Sequence, residues 1–178
     1  MLKTGKKKIG IFGGSFDPPH FGHYKISLSA IKNLKLHRLF WTITKKNPFK
    51  KNSYFSLTQR INKSKLISKK NKKIKVVYLD RLVRSSNTIE ILKYLIKKNN
   101  NSEFFLIIGS DNLIEFHKWK NWRKIIKLCK LVIFSRKGFD LKAQKSRILK
   151  NLSKDKIIYI KNFKVDISSS QLRRYYLK

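Results

Sequence analysis

Acidic residues are scarce. Nine Asp and Glu stand against 44 Lys and Arg in 178 residues, a formal charge of +35. One cysteine, Cys129, excludes an internal disulfide framework and any zinc module built on several cysteines. It agrees with a reducing compartment. Only 3 prolines and 7 glycines are present, and no Pro/Gly/Ser-rich stretch divides the chain. We therefore read residues 1–178 as one domain. No apolar run approaches the roughly 18 residues of a membrane span. The basic start, Met1-Leu2-Lys3-Thr4-Gly5-Lys6-Lys7-Lys8, is followed by Ile9-Gly10-Ile11-Phe12 and then Gly13-Gly14. That apolar run is too short for a secretory leader and reads as a buried first strand. A cytoplasmic protein with no membrane partner is expected. What is abundant is hydrophobic matter, 41% of residues, with aromatics at 12%. A disordered chain is thereby excluded.

The charge has two readings. A basic surface attracts nucleic acid. Yet Lys outnumbers Arg 35 to 9, whereas a dedicated nucleic-acid surface usually favours Arg as well. Lys, Ile and Asn together make 70 residues, all with AT-rich codons, and the lysines are scattered. We read the charge as compositional bias with incidental polyanion affinity. It would still draw in a phosphorylated substrate.

Short apolar runs alternate with helical patterns. Strands are expected at Ile9–Phe12, Leu39–Ile43, Ile74–Leu79, Phe104–Ile108, Leu131–Phe134 and Ile157–Ile160. The runs are continuous, as when both sheet faces are covered. Helices are expected around Gly22–Asn33, Ser56–Ile67, Thr88–Lys98, Trp122–Leu128 and Leu141–Leu149. Ile89, Leu92 and Ile96 share one helical face. This order predicts an α/β fold, a Rossmann-like doubly wound parallel sheet. Ligands in such sheets sit beyond the carboxyl ends of the strands.

Two strings fall in such places. Gly13-Gly14-Ser15-Phe16-Asp17-Pro18-Pro19-His20-Phe21-Gly22-His23 follows the first strand and opens the first helix. Glycines let backbone approach a ligand, and a helix start favours phosphate. His20 and His23 share one face of the first turn and can each donate to phosphate oxygens. The string is neither G-x-G-x-x-G nor a Walker loop. A metal site at the two histidines lacks a third ligand nearby, and we assign none. Near the other end stands Ile167-Ser168-Ser169-Ser170-Gln171-Leu172-Arg173. Its serines can start a helix and meet phosphate. Arg173 can grip pyrophosphate as a fork.

The first string resembles the H-x-G-H signature of the nucleotidylyltransferases, and the second that superfamily's I-S-S-T-x-x-R. Further segments resemble bacterial nicotinate-nucleotide adenylyltransferases: Asn47-Pro48-Phe49-Lys50, Arg84 to Leu92, Phe104 to Leu113, Phe116 to Trp122, and Ser135-Arg136-Lys137-Gly138. The resemblance runs from residue 9 to residue 173. It implies adenylyl transfer from ATP to nicotinate mononucleotide, with Mg²⁺ accompanying ATP and His20, His23 and Arg173 catalytic. Gly13, Gly14, Ser15, Phe16, His20, His23, Gly109, Asp111, Arg136, Ser169, Ser170 and Arg173 would bind ATP. Lys50, Asn87, Thr88, Trp119 and Lys120 would bind the mononucleotide.

Several of these residues have a second reading. Asp111 could simply cap a helix, Trp119 fill the core, Lys50 face water and Thr88 serve as an N-cap. The pattern departs from the family at Ser15 (usually Thr), Asn87 (Tyr), Glu90 (Asp) and Lys120 (aromatic). Pantetheine-phosphate adenylyltransferase is the alternative within the superfamily, but it usually carries Thr at the position of His20. A basic RNA-binding protein on a degenerate transferase fold is the alternative outside it. Its catalytic positions should be eroded, and here they are filled. His37 and Cys129 read as structural.

Overall fold

All six apolar runs form strands, and the strands share one sheet: β1 (Lys7–Gly14), β2 (Arg38–Ile43), β3 (Ile74–Val77), β4 (Ser102–Gly109), β5 (Lys130–Phe134) and β6 (Ile157–Ile160). The computed structural model describes residues 5–45, 53–146, 148–149, 152–161 and 169–176. The strand order is β3-β2-β1-β4-β5-β6 and every pairing is parallel. The order reverses between β1 and β4, which fixes the ligand crevice at their carboxyl ends.

Helices cover both faces: α1 (Phe21–Leu34), α2 (Leu57–Ser68), α3 (Thr88–Lys98), α4 (Ser110–Glu115), α5 (Trp122–Leu128), α6 (Asp140–Gln144) and the terminal α7 (Ser169–Tyr176). Side chains alternate along a strand, so each strand feeds two cores. Ile9, Ile11, Leu106 and Ile133 pack with Ile89 and Leu92 of α3 and Ile125 of α5. Trp41, Ile43, Phe105 and Ile107 pack with Ala30, Ile31 and Leu34 of α1 on the other side. Each fully buried side chain of this size contributes about 1.5–3 kcal/mol. Gly10 lies on the α1 side, where a Cβ would meet Leu39 Cδ1 at 2.4 Å and Leu36 Cδ1 at 2.7 Å. The two leucines fill the space that a side chain would need.

Local chemistry sets the helix ends. Ser56 and Gln59 cap α2 reciprocally, the Gln59 N–H donating to Ser56 Oγ and the Ser56 N–H to Gln59 Oε1. The chain leaves α1 through Lys35 in the left-handed region, and the Leu36 N–H donates to the Ile31 carbonyl. Two expectations need correction. The helix expected over Leu141–Leu149 is interrupted after Gln144, where the Ser146 N–H turns back to the Ala143 carbonyl, and residues 148 and 149 are helical again. The short α4, not expected, starts immediately after β4. Cys129 is buried, its thiol pushed up to about 12 by desolvation. No helix among the described residues is long and apolar enough to cross a membrane.

Candidate active site

The turn after β1 is built from buried parts. The Gly14 carbonyl accepts from the Thr44 N–H at 3.0 Å, tying the turn to the exit of β2. Phe16 adopts φ 47, a conformation disfavoured by roughly 1–2 kcal/mol for a side chain with Cβ. Its ring is 2% exposed and stacks on Trp41, with centroids 5.0 Å apart and an interplanar angle of 25°. That burial offsets the backbone cost and turns Asp17 inward. Asp17 is 2% exposed and accepts from the Tyr54 and Phe55 N–H groups, both at 2.8 Å.

His20 is the N-cap of α1. Its backbone N–H donates to His23 Nδ1 at 3.2 Å. A neutral His23 therefore carries its proton on Nε2. The His23 ring lies 3.8 Å from that of His20 and 4.7 Å from that of Phe16. Its backbone carbonyl accepts from Ser27 Oγ, which in turn accepts from Trp41 Nε1 at 2.7 Å. Burial and, after it, the positive charge of Arg136 lower the His20 pKa to about 4. His20 is thus a neutral imidazole at physiological pH. Its buried Nδ1 has no hydrogen-bond partner among the described residues.

The terminal helix docks on this turn. Ser169 Oγ donates to the Pro18 carbonyl at 2.9 Å. Arg173 Nη1 donates to the Asp17 carbonyl at 2.5 Å, and Nη2 to Ser170 Oγ at 2.9 Å. Two motifs from opposite ends of the chain thus form one surface, with His20 and His23 starting the helix beyond it.

A third wall comes from β4 and β5. Gly109 is the N-cap of α4, so Asp111 sits in the first turn and does not cap the helix. Asp111 Oδ2 accepts from Arg136 Nη1 at 2.5 Å. Asp111 Oδ1 is buried without a partner among the described residues and lies where a Gly109 Cβ would be, 2.3 Å from it. Ser110 Oγ accepts from the Arg136 N–H at 3.0 Å. Asp140 accepts from Ser135 Oγ, Tyr159 Oη and the Arg136 N–H. Desolvation opposes the Asp140 charge, but these hydrogen bonds outweigh it and hold its pKa below the usual carboxylate value.

The expected acceptor residues are less tightly assembled. Lys50 lies outside the described residues. Asn87 is the N-cap of α3, Thr88 its first residue, and Asn87 bonds Ser85 Oγ through its backbone N–H and Nδ2. Trp119 is half-buried against Phe116, 5.0 Å between rings, and Lys120 is exposed. Trp119 stands just before α5, which packs beside α3.

Two buried charged residues beside the site escaped the sequence reading. Arg60 on α2 is 2% exposed and, among the described residues, its guanidinium donates to main-chain carbonyls. Asp80, after β3, is 6% exposed and accepts from the Lys45 N–H and from Ser86 Oγ. Elsewhere, a cavity of about 1000 Å³ is lined by residues including Trp122, Ile126, Leu152 and Lys156. It contains none of the expected site residues, and Ser153 and Lys156 place that side at the amino end of β6. The polar groups of the expected site converge instead at the carboxyl ends of the strands.

A sheet that reverses at β1, with a paired-histidine helix start beside the reversal, is the arrangement expected of a nucleotidylyltransferase. The family model described as cytidylyltransferase-like matches residues 11–175. A Pelagibacter ubique protein named "Probable nicotinate-nucleotide adenylyltransferase" is 46% identical over 97% of this chain and 96% of its own. A Ruegeria protein of the same name is 35% identical over 84% and 78%. The Plasmodium falciparum nicotinic acid mononucleotide adenylyltransferase superposes with a TM-score of 0.70 and 26% identity in its complex with NaAD, over 95% of this chain and 83% of that one. In its complex with APC the values are 0.73 and 25%, with the same coverage. The chain belongs to this cytidylyltransferase-like family, among its nicotinate-nucleotide adenylyltransferases.

Proposed function

We propose that the protein transfers AMP from ATP to nicotinate mononucleotide in NAD biosynthesis. A phosphate oxygen of the mononucleotide attacks the α-phosphorus of ATP. A new P–O bond forms, the bond from the α-phosphorus to its bridging oxygen breaks, and pyrophosphate leaves with the electron pair. Nicotinate adenine dinucleotide is the other product. The observation that carries this reading is the docking of Ser169 and Arg173 onto the turn that presents His20 and His23. Such a surface can face an α-phosphate and a leaving pyrophosphate together.

Each residue has a role by its chemistry. His23 Nε2–H is the donor to the α-phosphate oxygens, and neutral His20 adds hydrogen bonding without charge. Their value lies in being fixed before charge develops. The helix start contributes backbone N–H groups and its dipole. Arg173 and the Ser169 and Ser170 hydroxyls meet pyrophosphate, while Gly13, Gly14, Ser15 and Phe16 shape the floor. Asp111 and Arg136 bound the adenosine side; Asn87, Thr88, Trp119, Lys120 and Lys50 serve the acceptor. No covalent intermediate is required, and positioning supplies much of the rate.

Mg²⁺ enters as part of the substrate, bound to ATP. Among the described residues no group of three or more His, Cys, Asp or Glu could cage a metal ion. Mg²⁺ readily keeps its waters on phosphate oxygens. The same proposal takes residues 1–178 as one catalytic domain acting in the cytoplasm. The test is incubation with ATP, Mg²⁺ and nicotinate mononucleotide, with products identified by mass. Formation of the dinucleotide and pyrophosphate is expected; absence of both refutes the reading.

A further inference from the structure

We infer that Arg60 is a positioning residue that fixes the turn after β1 against the two feet of the segment linking β2 to α2. The inference rests on the adenylyl-transfer reading. Arg60 Nη1 donates to the carbonyls of Ser15 and Thr44, each at 2.7 Å. Nη2 donates to the Lys45 carbonyl and Nε to that of Phe55, each at 3.1 Å. One guanidinium thereby joins the turn after β1 to both feet of the segment linking β2 to α2.

Two buried carboxylates secure the same feet from their N–H sides. Asp80 accepts from Lys45 at one foot, and Asp17 accepts from Tyr54 and Phe55 at the other. Asp80 also accepts from Ser86 Oγ, and the Asp80 carbonyl from the Ser85 N–H, which links the clamp to the turn before α3. The carbonyls are oriented by the cation and the amides by the anions, so the feet cannot rotate without breaking charge-assisted bonds on both sides. A planar fork with five donors can serve four separated acceptors, whereas a Lys ammonium has three donors on one atom.

Arg60 is too enclosed to touch substrate. Its consequence for the reaction is geometric. The nucleotide turn keeps an independent support in Arg173, which donates to the Asp17 carbonyl. The feet of the β2–α2 segment rely on Arg60 for three of its four bonds. Loss of the fork should therefore weaken acceptor binding and in-line alignment more than ATP binding.

The test uses the full chain and compares wild type with Arg60→Lys. Amide exchange by NMR at Lys45, Tyr54 and Phe55 should accelerate at least about tenfold, while amides of β1 and β4 keep their protection. Nicotinate mononucleotide should bind at least about tenfold more weakly by calorimetry. A non-hydrolysable ATP analogue should bind within about threefold of wild type. The value of kcat should fall. Asp80→Asn, which loosens one foot from the opposite side, should show the same split if Arg60→Lys folds poorly. Equal losses for both ligands, or unchanged exchange at the three amides, overturns the inference. General destabilisation would change exchange everywhere and leave both affinities of the folded fraction intact. The exchange readout needs no turnover, so a wild type without transferase activity refutes the proposed function and still leaves the clamp tested.

Discussion

One added methyl group should have opposite consequences at two glycines. At Gly109 the backbone (φ −83, ψ 159) suits any residue, so alanine meets no conformational barrier. Its Cβ, however, would stand 2.3 Å from Asp111 Oδ1. Ordinary contact begins about 1 Å farther out, so the carboxylate must swing away and its bond to Arg136 must break. That pair is partly exposed, 43% and 23% by side chain. Its contribution to stability is at most about 1 kcal/mol. The entropy that alanine removes from the unfolded chain offsets roughly 0.4–1 kcal/mol of any loss. Gly109→Ala should thus melt within about 4 °C of wild type. Its effect should fall on ATP. Displacing one charge-assisted contact, at about 1.5–3 kcal/mol, raises the KM for ATP by roughly 10- to 150-fold. Gly10→Ala is the counterpart. Its Cβ collides with Leu39 and Leu36 in the core, and overpacking costs about 1–3 kcal/mol. Melting should drop by several degrees while the KM for each substrate stays put. Thermal melts and steady-state kinetics on both variants decide it. A wild-type ATP KM in Gly109→Ala would refute the placement of Asp111 and Arg136 at the nucleotide.

The histidines and the acceptor give further tests. His23→Ala should lower kcat by about 10²–10³ with little change in ATP affinity, as for a donor used chiefly in the transition state; steady-state kinetics on a variant with unchanged melting checks it. His20 holds a native pKa near 4 against about 6.5 unfolded. Between those values the unfolded chain binds a proton that the native chain refuses, so stability is full above about pH 6.5 and falls as pH drops toward 4. Denaturant melts of His20→Asn should lack that part of the slope, at most about 1.4 kcal/mol per pH unit before allowance for partial exposure. Finally, the start of α3 suits the carboxylate of nicotinate better than a neutral amide. Competing the acid and amide mononucleotides in one reaction should favour the acid about 10- to 10³-fold in kcat/KM, and equal incorporation would defeat the nicotinate preference.

Continuous apolar runs such as Phe104–Ile108 announce strands buried on both faces; all six runs formed strands, but the edge strands β3, which ends at Val77, and β6 are only partly buried. Residue type at a strand end announced the histidine pair and the terminal Ser-Arg string. Their union did not follow from spacing: Ser169 and Arg173 meet carbonyls of Pro18 and Asp17, which no side-chain pattern encodes. Arg60 was invisible for the same reason. In a chain with 44 basic residues, one arginine on a polar helix reads as solvated, and its partners are backbone atoms up to 45 residues away. The six residues of α4 are too few to show a helical period, and its cap is a glycine. The break after Gln144 depends on one backbone turn, at Ser146.

Cys129 gives the molecule an internal clock. With its thiol pushed up to about 12 by burial, very little of it is thiolate at neutral pH, and the sulfur is buried at the end of α5. Alkylating reagents should therefore find it only when the core opens. Because no second cysteine competes, the rate of labelling reads out how often that opening occurs, and its slowing by bound nucleotide would measure how far ligand stiffens the whole sheet.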